Sequence, residues 1–188
     1  MVSPKRSALL STAERLFYQQ GFHATGIDRI VAEAGVVRMT LYNNFSSKGA
    51  LVAEVLNDRH SRFLEALDAE VEQAADGDAT LALVDAHSQW VGEFSRQGCI
   101  QGKAMSEFGE HDAAIHKQAV LAKKDVLVRI QSALARDSLP GQDSLARRVF
   151  LVLEGCNAVL PVLGPDALLA DTRKAIEELI WNVRFKAP

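Results

Sequence analysis

The sequence has little of what marks a secreted, membrane-spanning or enzymatic protein. Only two cysteines occur in 188 residues, Cys99 and Cys156, and they lie far apart without CxxC spacing, which favours a reduced cytoplasmic setting. No run of 18 apolar residues is present, and the first residues lack the apolar core of a secretory signal, so we expect neither a membrane span nor a leader. Neither a glycine-rich phosphate loop nor a nucleophile elbow occurs. We therefore expect no enzyme, no catalytic residue and no cofactor.

The sequence also lacks strand patterns. No stretch alternates apolar and polar residues, no repeat of 20 to 50 residues appears, and a hydrophobic content of 48% supports packed cores. Helix start and stop signals, such as Ser3-Pro4 and Gly164-Pro165, predict an all-α fold. About nine helices are expected, at roughly 4–20, 27–34, 38–44, 48–75, 79–96, 103–109, 112–136, 143–163 and 166–185.

Two short helices within residues 25–51 carry the strongest signal. The first has apolar residues at the spacing of one buried helix face, namely Ile27, Ile30, Val31 and Ala34. Thr25 is placed to cap this helix, with Asp28 as the acid of a capping box, and Gly35 follows it where positive φ is often needed. The second helix turns Leu41 and Phe45 inward and leaves a polar and aromatic outer face. This layout predicts a helix-turn-helix that enters the DNA major groove.

Several short pieces of this region stand in fixed register. They are LF at 16–17, GF at 21–22, Thr25, AGV at 34–36, TLY at 40–42, Phe45 and Lys48. Together they resemble the DNA-binding region of the tetracycline-repressor (TetR) family of bacterial transcription regulators. The chain departs from the family pattern at Val37, where Ser or Thr is common, and at Asn44, where His is common. The first departure removes a usual helix cap.

The predicted DNA-binding residues divide by chemistry. Arg38, Met39, Thr40 and Asn43 are expected nearest the base edges, since Arg pairs with guanine, Asn with adenine, and Met can touch a thymine methyl. Chemistry and the resemblance assign phosphate contacts to Thr25, Tyr42 and Lys48. Alternatively, Thr25 is only a cap, Tyr42 packs on the first helix and Lys48 is solvated. The full predicted set is Thr25, Gly26, Arg38, Met39, Thr40, Tyr42, Asn43, Asn44 and Lys48.

Charge is distributed unevenly along the chain. Residues 1–50 hold six Lys or Arg and three acids, a net of +3, whereas the remaining residues hold 15 basic and 21 acidic groups, a net of −6. A basic head on an acidic body confines phosphate attraction to the head. The sequence therefore predicts a DNA-binding domain at 1–47 and a ligand-binding and dimerisation domain at 48–188, joined by the long fourth helix acting as a lever.

The middle helices are expected to surround an apolar pocket for a small molecule, although each of its residues also suits an ordinary core. The predicted lining is Phe63, Leu67, His87, Trp90, Phe94, Gln101, Met105 and Phe108. A metal cluster of Glu110, His111, Asp112 and His116 was weighed and not predicted, because two histidines five residues apart do not share a helix face.

The last two helices predict a homodimer. The eighth is apolar around much of its circumference, with small residues midway, and the ninth has an apolar stripe at Leu169, Ile176, Leu179, Ile180 and Val183. Two such helices from each of two chains can form a four-helix bundle, which the resemblance also implies. The alternative is that both helices finish the core of a single chain. A two-fold dimer predicts a pseudo-palindromic operator.

Three functions fit these patterns. The favoured one is a dimeric repressor that a small-molecule ligand releases from DNA. The second is a redox-responsive regulator acting through Cys99, and the third is a helical module whose head binds another protein. No metal and no membrane partner are expected.

Overall fold

A computed structural model describes residues 3–109 and 112–185, and within these ranges it contains nine α-helices and no strand. None of these helices is long and apolar enough to cross a membrane. Their bounds are α1 Pro4–Gln20, α2 Ile27–Glu33, α3 Arg38–Asn44, α4 Lys48–Gln73, α5 Ala79–Phe94, α6 Ile100–Phe108, α7 Ala113–Arg136, α8 Gln142–Leu163 and α9 Pro165–Phe185. The all-α prediction is confirmed.

Helix ends follow the predicted signals with small differences. Ser3 caps α1 by accepting a hydrogen bond from the backbone N–H of Arg6 at 3.2 Å, and Gly35 after α2 has φ of +64°. Helix α4 stops at Gln73, two residues early, where Arg136 donates to the Ala74 carbonyl at 2.8 Å. Helix α6 begins at Ile100, three residues before the predicted start, because Ile100 is buried in a core.

The predicted capping role of Thr25 is wrong. Gly26 is the N-cap of α2, and no side chain caps that helix. The Thr25 hydroxyl donates instead to the backbone carbonyls of Gly21, at 2.7 Å, and Leu16, at 3.3 Å. These bonds point the Thr25 side chain toward α1, so Thr25 closes the turn between α1 and α2. The hydroxyl therefore does not cap the start of α2.

The described residues pack into two compact units. The first comprises those of Met1–Ser61 and Ile100–Leu121, and the second those of Arg62–Cys99 and Ala122–Pro188. In the first unit α1, α2, α3 and the start of α4 share a core with α6 and the start of α7. The second unit has its own core, drawn from the rest of α4 and from α5, α7, α8 and α9. The functional division at residues 47 and 48 remains a prediction.

The apolar stripe predicted on α9 mostly serves the chain's own core. Ile176 and Ile180 are buried in the second unit, with Leu179 and Val183 packed against them. Cys156, one of the small residues midway along α8, is also buried within the single chain. The alternative reading was therefore right for these residues. A different face remains exposed, including Leu151 and Val162 on α8 and Trp181 and Phe185 on α9.

Candidate nucleic-acid interface

The first three helices form a small scaffold around aromatic and aliphatic side chains. Phe17 of α1, Ile30 of α2 and Leu41 of α3 are completely buried, and Phe22 joins them from the turn after α1. The rings of Phe17 and Phe22 lie 5.3 Å apart, in the range that favours tilted aromatic pairs. Because each helix contributes a buried anchor, the orientation of α3 is fixed by packing, although α3 has only seven residues.

The turn between α1 and α2 is held from α6, far away in the sequence. Glu107 accepts hydrogen bonds from the backbone N–H groups of Phe22 and His23, both at 2.9 Å. The ring nitrogen Nε2 of His23 lies 2.9 Å from the Glu107 carbonyl oxygen. Gly21 has φ of +88°, and a Cβ there would meet the Glu107 carboxylate at 3.0 Å. A glycine is required because the backbone conformation and the close carboxylate both disfavour a side chain.

Helix α3 presents a mostly exposed outer face, as the sequence predicted. Met39 is 67% exposed and Tyr42 46% exposed, and Arg38 and Asn43 are also exposed, whereas Thr40 is half-buried. These residues occupy consecutive turns of one short helix. The face therefore offers a guanidinium, an amide, a hydroxyl and an apolar thioether, which together suit hydrogen-bond and methyl contacts in a major groove.

Arg38 and Asn44 have internal partners that bear on DNA contact. Arg38 lies 3.4 Å from Asp28 of α2, and both side chains are largely exposed, so this ion pair contributes little and a DNA acceptor can replace it. Asn44 donates through Nδ2 to the Thr40 carbonyl at 2.7 Å, and its side chain is half-buried. One amide hydrogen and the amide oxygen of Asn44 are left for other contacts.

The predicted phosphate contacts differ in how far they reach the surface. Lys48, at the start of α4, donates through Nζ to the His23 carbonyl at 3.3 Å, and burial lowers its pKa although Glu107 acts in the opposite sense. Gly26 is exposed. Thr25 is completely buried and its hydroxyl donates to two backbone carbonyls, so its phosphate contact stays a prediction.

Other cations of the first unit are occupied with holding helices together. Arg6 pairs with Glu54 at 2.6 Å and Arg59 with Glu14 at 2.6 Å. Glu33 of α2 accepts from both Arg15 and Arg29, and these hydrogen bonds lower the pKa of its carboxyl. Of the basic groups in the predicted set, Arg38 has the looser and more exposed ion pair with Asp28, and Lys48 donates to a backbone carbonyl.

The residues predicted to line a ligand pocket fall in both compact units. In the first unit, Gln101 donates to the Leu56 carbonyl at 3.0 Å, and Met105 and Phe108 pack with the core. Phe108 also lines a cavity of about 260 Å³ beside Lys48 and Asp112. In the second unit, Leu67 is core, whereas four residues form a chain of aromatic contacts, namely Phe63, His87, Trp90 and Phe94.

Two features of the site escaped sequence reasoning. Glu107 lies 84 to 85 residues from its backbone partners, and no spacing pattern signals such a contact. The pairing of Asp28 with Arg38 was likewise hidden, because Asp28 had been assigned to a capping box. Glu110 and His111 of the weighed metal cluster lie outside the described residues. Asp112 instead caps α7 through the Ala114 N–H at 3.0 Å, and His116 Nδ1 lies 3.1 Å from the Met105 carbonyl oxygen.

A buried three-helix scaffold, a sharp turn between α2 and α3 and an exposed polar face on α3 define a helix-turn-helix DNA-binding head. A family model described as "Bacterial regulatory proteins, tetR family" matches residues 9–55. The HTH-type transcriptional regulator ArpR of Pseudomonas putida is 26% identical over 191 residues, covering 92% of this chain and 88% of ArpR. The HTH-type transcriptional activator FasR of Mycolicibacterium smegmatis is 45% identical over 56 residues, covering 30% of this chain and 25% of FasR.

A solved structure extends the likeness to nearly the whole chain. The TetR-family transcriptional regulator SCO4454 of Streptomyces coelicolor superposes with a TM-score of 0.90 at 26% identity, over 96% of this chain and 90% of that chain. Residues 9–55 thus match the TetR-type DNA-binding head, and along nearly its whole length the chain is similar to TetR-family transcriptional regulators. This confirms the predicted resemblance and favours a DNA-binding transcriptional regulator over the protein-binding module.

Proposed function

We propose that the protein is a homodimeric repressor that binds a pseudo-palindromic operator through α3 and leaves it when a small molecule binds. The observation that carries the proposal is the exposed outer face of α3, fixed from behind by the buried Leu41 and Phe45. Regulators of the TetR family bind DNA operators, form dimers and have small-molecule effectors. The division of roles between a head at 1–47 and a body at 48–188 is part of the proposal.

The exposed face of α8 supports the dimer. Leu151 is 71% exposed and Val162 81% exposed, and Gly155 and Ala158 lie exposed between them at helical spacing. A Cβ added at Gly155 would meet nothing within 4 Å, so the chain itself leaves this seam open. On α9, Trp181 is 58% and Phe185 63% exposed, with ring centroids 4.2 Å apart. Large apolar side chains exposed side by side are typical of a surface that another subunit covers.

Ligand release requires that the small molecule prefer a conformation of the dimer that fits the operator poorly. Repression is the proposed sign of regulation because an unliganded regulator on a promoter blocks access to it. The activator FasR shows that a relative can act with the opposite sign. Transcription in vitro from a promoter that carries the operator tests the sign: repression predicts fewer transcripts when protein is added.

The test of DNA recognition is selection of binding duplexes from a random library by the full-length protein. A dimer with two copies of α3 is expected to enrich a sequence with two inverted half-sites about one helical turn apart. A matched selection with Met39→Ala and Asn43→Ala, both changed at exposed positions, should alter the enriched bases and leave the half-site spacing unchanged. Failure to enrich any duplex at low salt, with folded protein, would contradict the proposal.

A redox-responsive regulator is a second candidate because of the surroundings of Cys99. The thiol is half-buried and forms a hydrogen bond with Lys123, whose pKa is raised by Cys99 and Glu154 against the effect of burial. A neighbouring cation is typical of the surroundings of reactive cysteines. Replacing Cys99 by Ser separates the two candidates: release of DNA by an oxidant such as hydrogen peroxide would vanish, whereas release by a ligand would survive.

A further inference from the structure

Helix α5 carries buried polar atoms that the protein does not satisfy. Among the described residues, Thr80 Oγ1, His87 Nδ1 and Ser88 Oγ are buried and have no hydrogen-bond partner. Native proteins pair nearly all such atoms, because a buried donor or acceptor left unpaired has lost its hydrogen bonds to water without replacement. Thr80 and His87 are seven residues apart and therefore share one face of the helix. His87 itself is only 3% exposed.

Hydrogen-bond geometry fixes which ring nitrogen of His87 carries the proton. Asn157 Nδ2 lies 3.4 Å from His87 Nε2 and 3.4 Å from Glu154 Oε1. Lys123 donates to both oxygens of Glu154, at 2.7 and 2.6 Å, so both oxygens are acceptors. The group between Glu154 and His87 must then be the amide NH₂ of Asn157. His87 Nε2 accepts, so Nδ1 bears the hydrogen and is a buried donor without an acceptor.

An aromatic wall leads from this donor toward the surface. The ring of Phe63 lies 6.1 Å from the His87 ring and 5.4 Å from that of Trp90. The rings of Trp90 and Phe94 lie 4.6 Å apart, and Phe94 is 38% exposed. All these residues belong to the second compact unit. The rings are tilted against one another and form an apolar wall, and His87 at its inner end supplies a hydrogen-bond donor.

We infer that this part of the second unit binds a small aromatic molecule bearing an acceptor oxygen, such as an aromatic ketone, aldehyde or ester. The oxygen accepts the Nδ1–H of His87, which supplies the missing partner, and the ring of the ligand packs against Phe63, Trp90 and Phe94. Lys123 is already paired with Glu154, so the group at the inner end of the wall is the neutral N–H of His87, which suits a neutral acceptor. The assignment of this site as the effector site rests on the proposed function.

Acetophenone and α-methylstyrene test the inference because they share one shape and differ only in a carbonyl oxygen against a methylene. Their affinities for the full-length protein are measured by isothermal titration, with the fluorescence of Trp90 as a second readout. Wild-type protein should bind acetophenone about five- to tenfold more tightly, the effect of one neutral hydrogen bond. His87→Phe keeps an aromatic ring and removes the donor, so it should bind both compounds equally. His60→Phe, on α4, should leave the preference unchanged.

A measurement on the unaltered protein guards against a variant that does not fold. The imidazole ¹⁵N resonance of His87 Nδ1 should move when acetophenone is added and stay in place with α-methylstyrene. The inference would be overturned if neither compound bound saturably, or if the wild type bound acetophenone and α-methylstyrene with equal affinity. It would also be overturned if His87→Phe still preferred acetophenone. Duplex binding without ligand is scored separately. If the protein binds the duplex but not acetophenone, this inference alone is overturned. If the protein does not bind the duplex, the proposed function is overturned.

Discussion

At the scale of single residues, the cations of the head divide into those that tie helices together and those that face outward. Arg6 and Arg15 each reach a carboxylate at 2.6 Å, across helices. Arg38 lies farther from its acid, at 3.4 Å, and both partners are largely exposed. The positive excess of the first 50 residues is therefore less available to DNA than a count of charges suggests, and Arg38 carries an unusual share of it.

Replacing Arg38 by Ala should weaken operator binding by roughly 1–3 kcal/mol and relax preference at one base pair, because a bidentate contact to guanine is lost. The measurement is the Kd for the selected operator and for duplexes carrying each other base at that position. Lys48→Gln is the matched control and should weaken every duplex alike. Equal losses for Arg38→Ala on operator and unrelated DNA would show that Arg38 contacts phosphate instead.

His87 should make stability depend on pH. Burial, and secondarily Lys123, lowers the pKa of His87 from 6.5 to about 4 in the folded protein. The unfolded chain therefore binds more protons between these values, so the contribution is complete above about pH 6.5 and is lost as the pH falls toward 4. Complete protonation of His87 lowers the free energy of unfolding by about 3 kcal/mol.

Urea unfolding from pH 7.5 to 4.5 measures this loss, with His87→Phe as the reference because it cannot take up the proton. The free energy of unfolding should fall more steeply in the wild type than in His87→Phe over that range. Parallel curves for the two proteins would mean that His87 titrates normally and lies in a wetter place than its burial indicates.

Sequence patterns predicted the outward and inward residues of the head well, because helical spacing is a local property. Leu41 and Phe45 are buried and Met39 and Tyr42 exposed, as expected. Sequence patterns failed for Thr25, whose hydroxyl could either accept from the N–H groups at the start of α2 or donate to the carbonyls at the end of α1. The choice depends on how α1 and α2 pack, which no local pattern contains.

At the scale of elements, the recognition helix begins without a side-chain cap. Val37 is the N-cap of α3, has extended φ and ψ of −91° and 155°, makes no capping hydrogen bond and is 68% exposed. Thr would keep this backbone and supply the missing acceptor for an N–H of the first turn. Val37→Thr should therefore raise the free energy of unfolding by about 0.5–1 kcal/mol.

Thermal and urea unfolding of the wild type, Val37→Thr and Val37→Ala measures this effect. Ala also lacks an acceptor and should not stabilise the protein as Thr does. If Thr and Ala behaved alike, the start of α3 would be satisfied by another group. The result also tests whether the departure from the family pattern at this position weakens the helix.

The outer face of α8 provides a test of assembly. Val162 is 81% exposed in the single chain, so Val162→Glu should leave the fold intact and place a charge in the proposed dimer interface. Sedimentation velocity should show a dimer for the wild type and a monomer for the variant. Val128→Glu, at a 53% exposed position on α7, is the matched control and should remain dimeric. If both variants were dimers, the interface would lie elsewhere. If the wild type were a monomer, there would be no such interface.

Most helices could be predicted to within a few residues, whereas their roles could not. Starts and stops are set by nearby glycines and prolines, so Ser3-Pro4 marked the start of α1 and Gly164-Pro165 the end of α8, as the structure confirms. Which apolar face of α9 the chain covers depends on the other helices of the second unit. For that reason Ile176 and Ile180 were assigned to an interface, while the structure buries them within the chain.

At the scale of the whole molecule, charge and packing divide the chain differently. The basic excess lies in residues 1–50, yet the first compact unit also includes Ile100–Leu121. Glu107 of α6 accepts hydrogen bonds from the α1–α2 turn, so the DNA-binding head is built on residues from the middle of the sequence. A fragment ending at residue 47 should for this reason be a poor substitute for the full chain in DNA-binding experiments.

The most direct test of the central claim, that this protein reads duplex DNA as a dimer, is the salt dependence of its affinity for the selected operator. The logarithm of the association constant should fall linearly with the logarithm of salt concentration, with a slope of about −0.9 for each phosphate contacted. Lys48→Gln should reduce the steepness by roughly 1.8, one contact from each of two heads. A slope near zero would contradict the account. A slope that neither Lys48→Gln nor Arg38→Ala changes would contradict it as well.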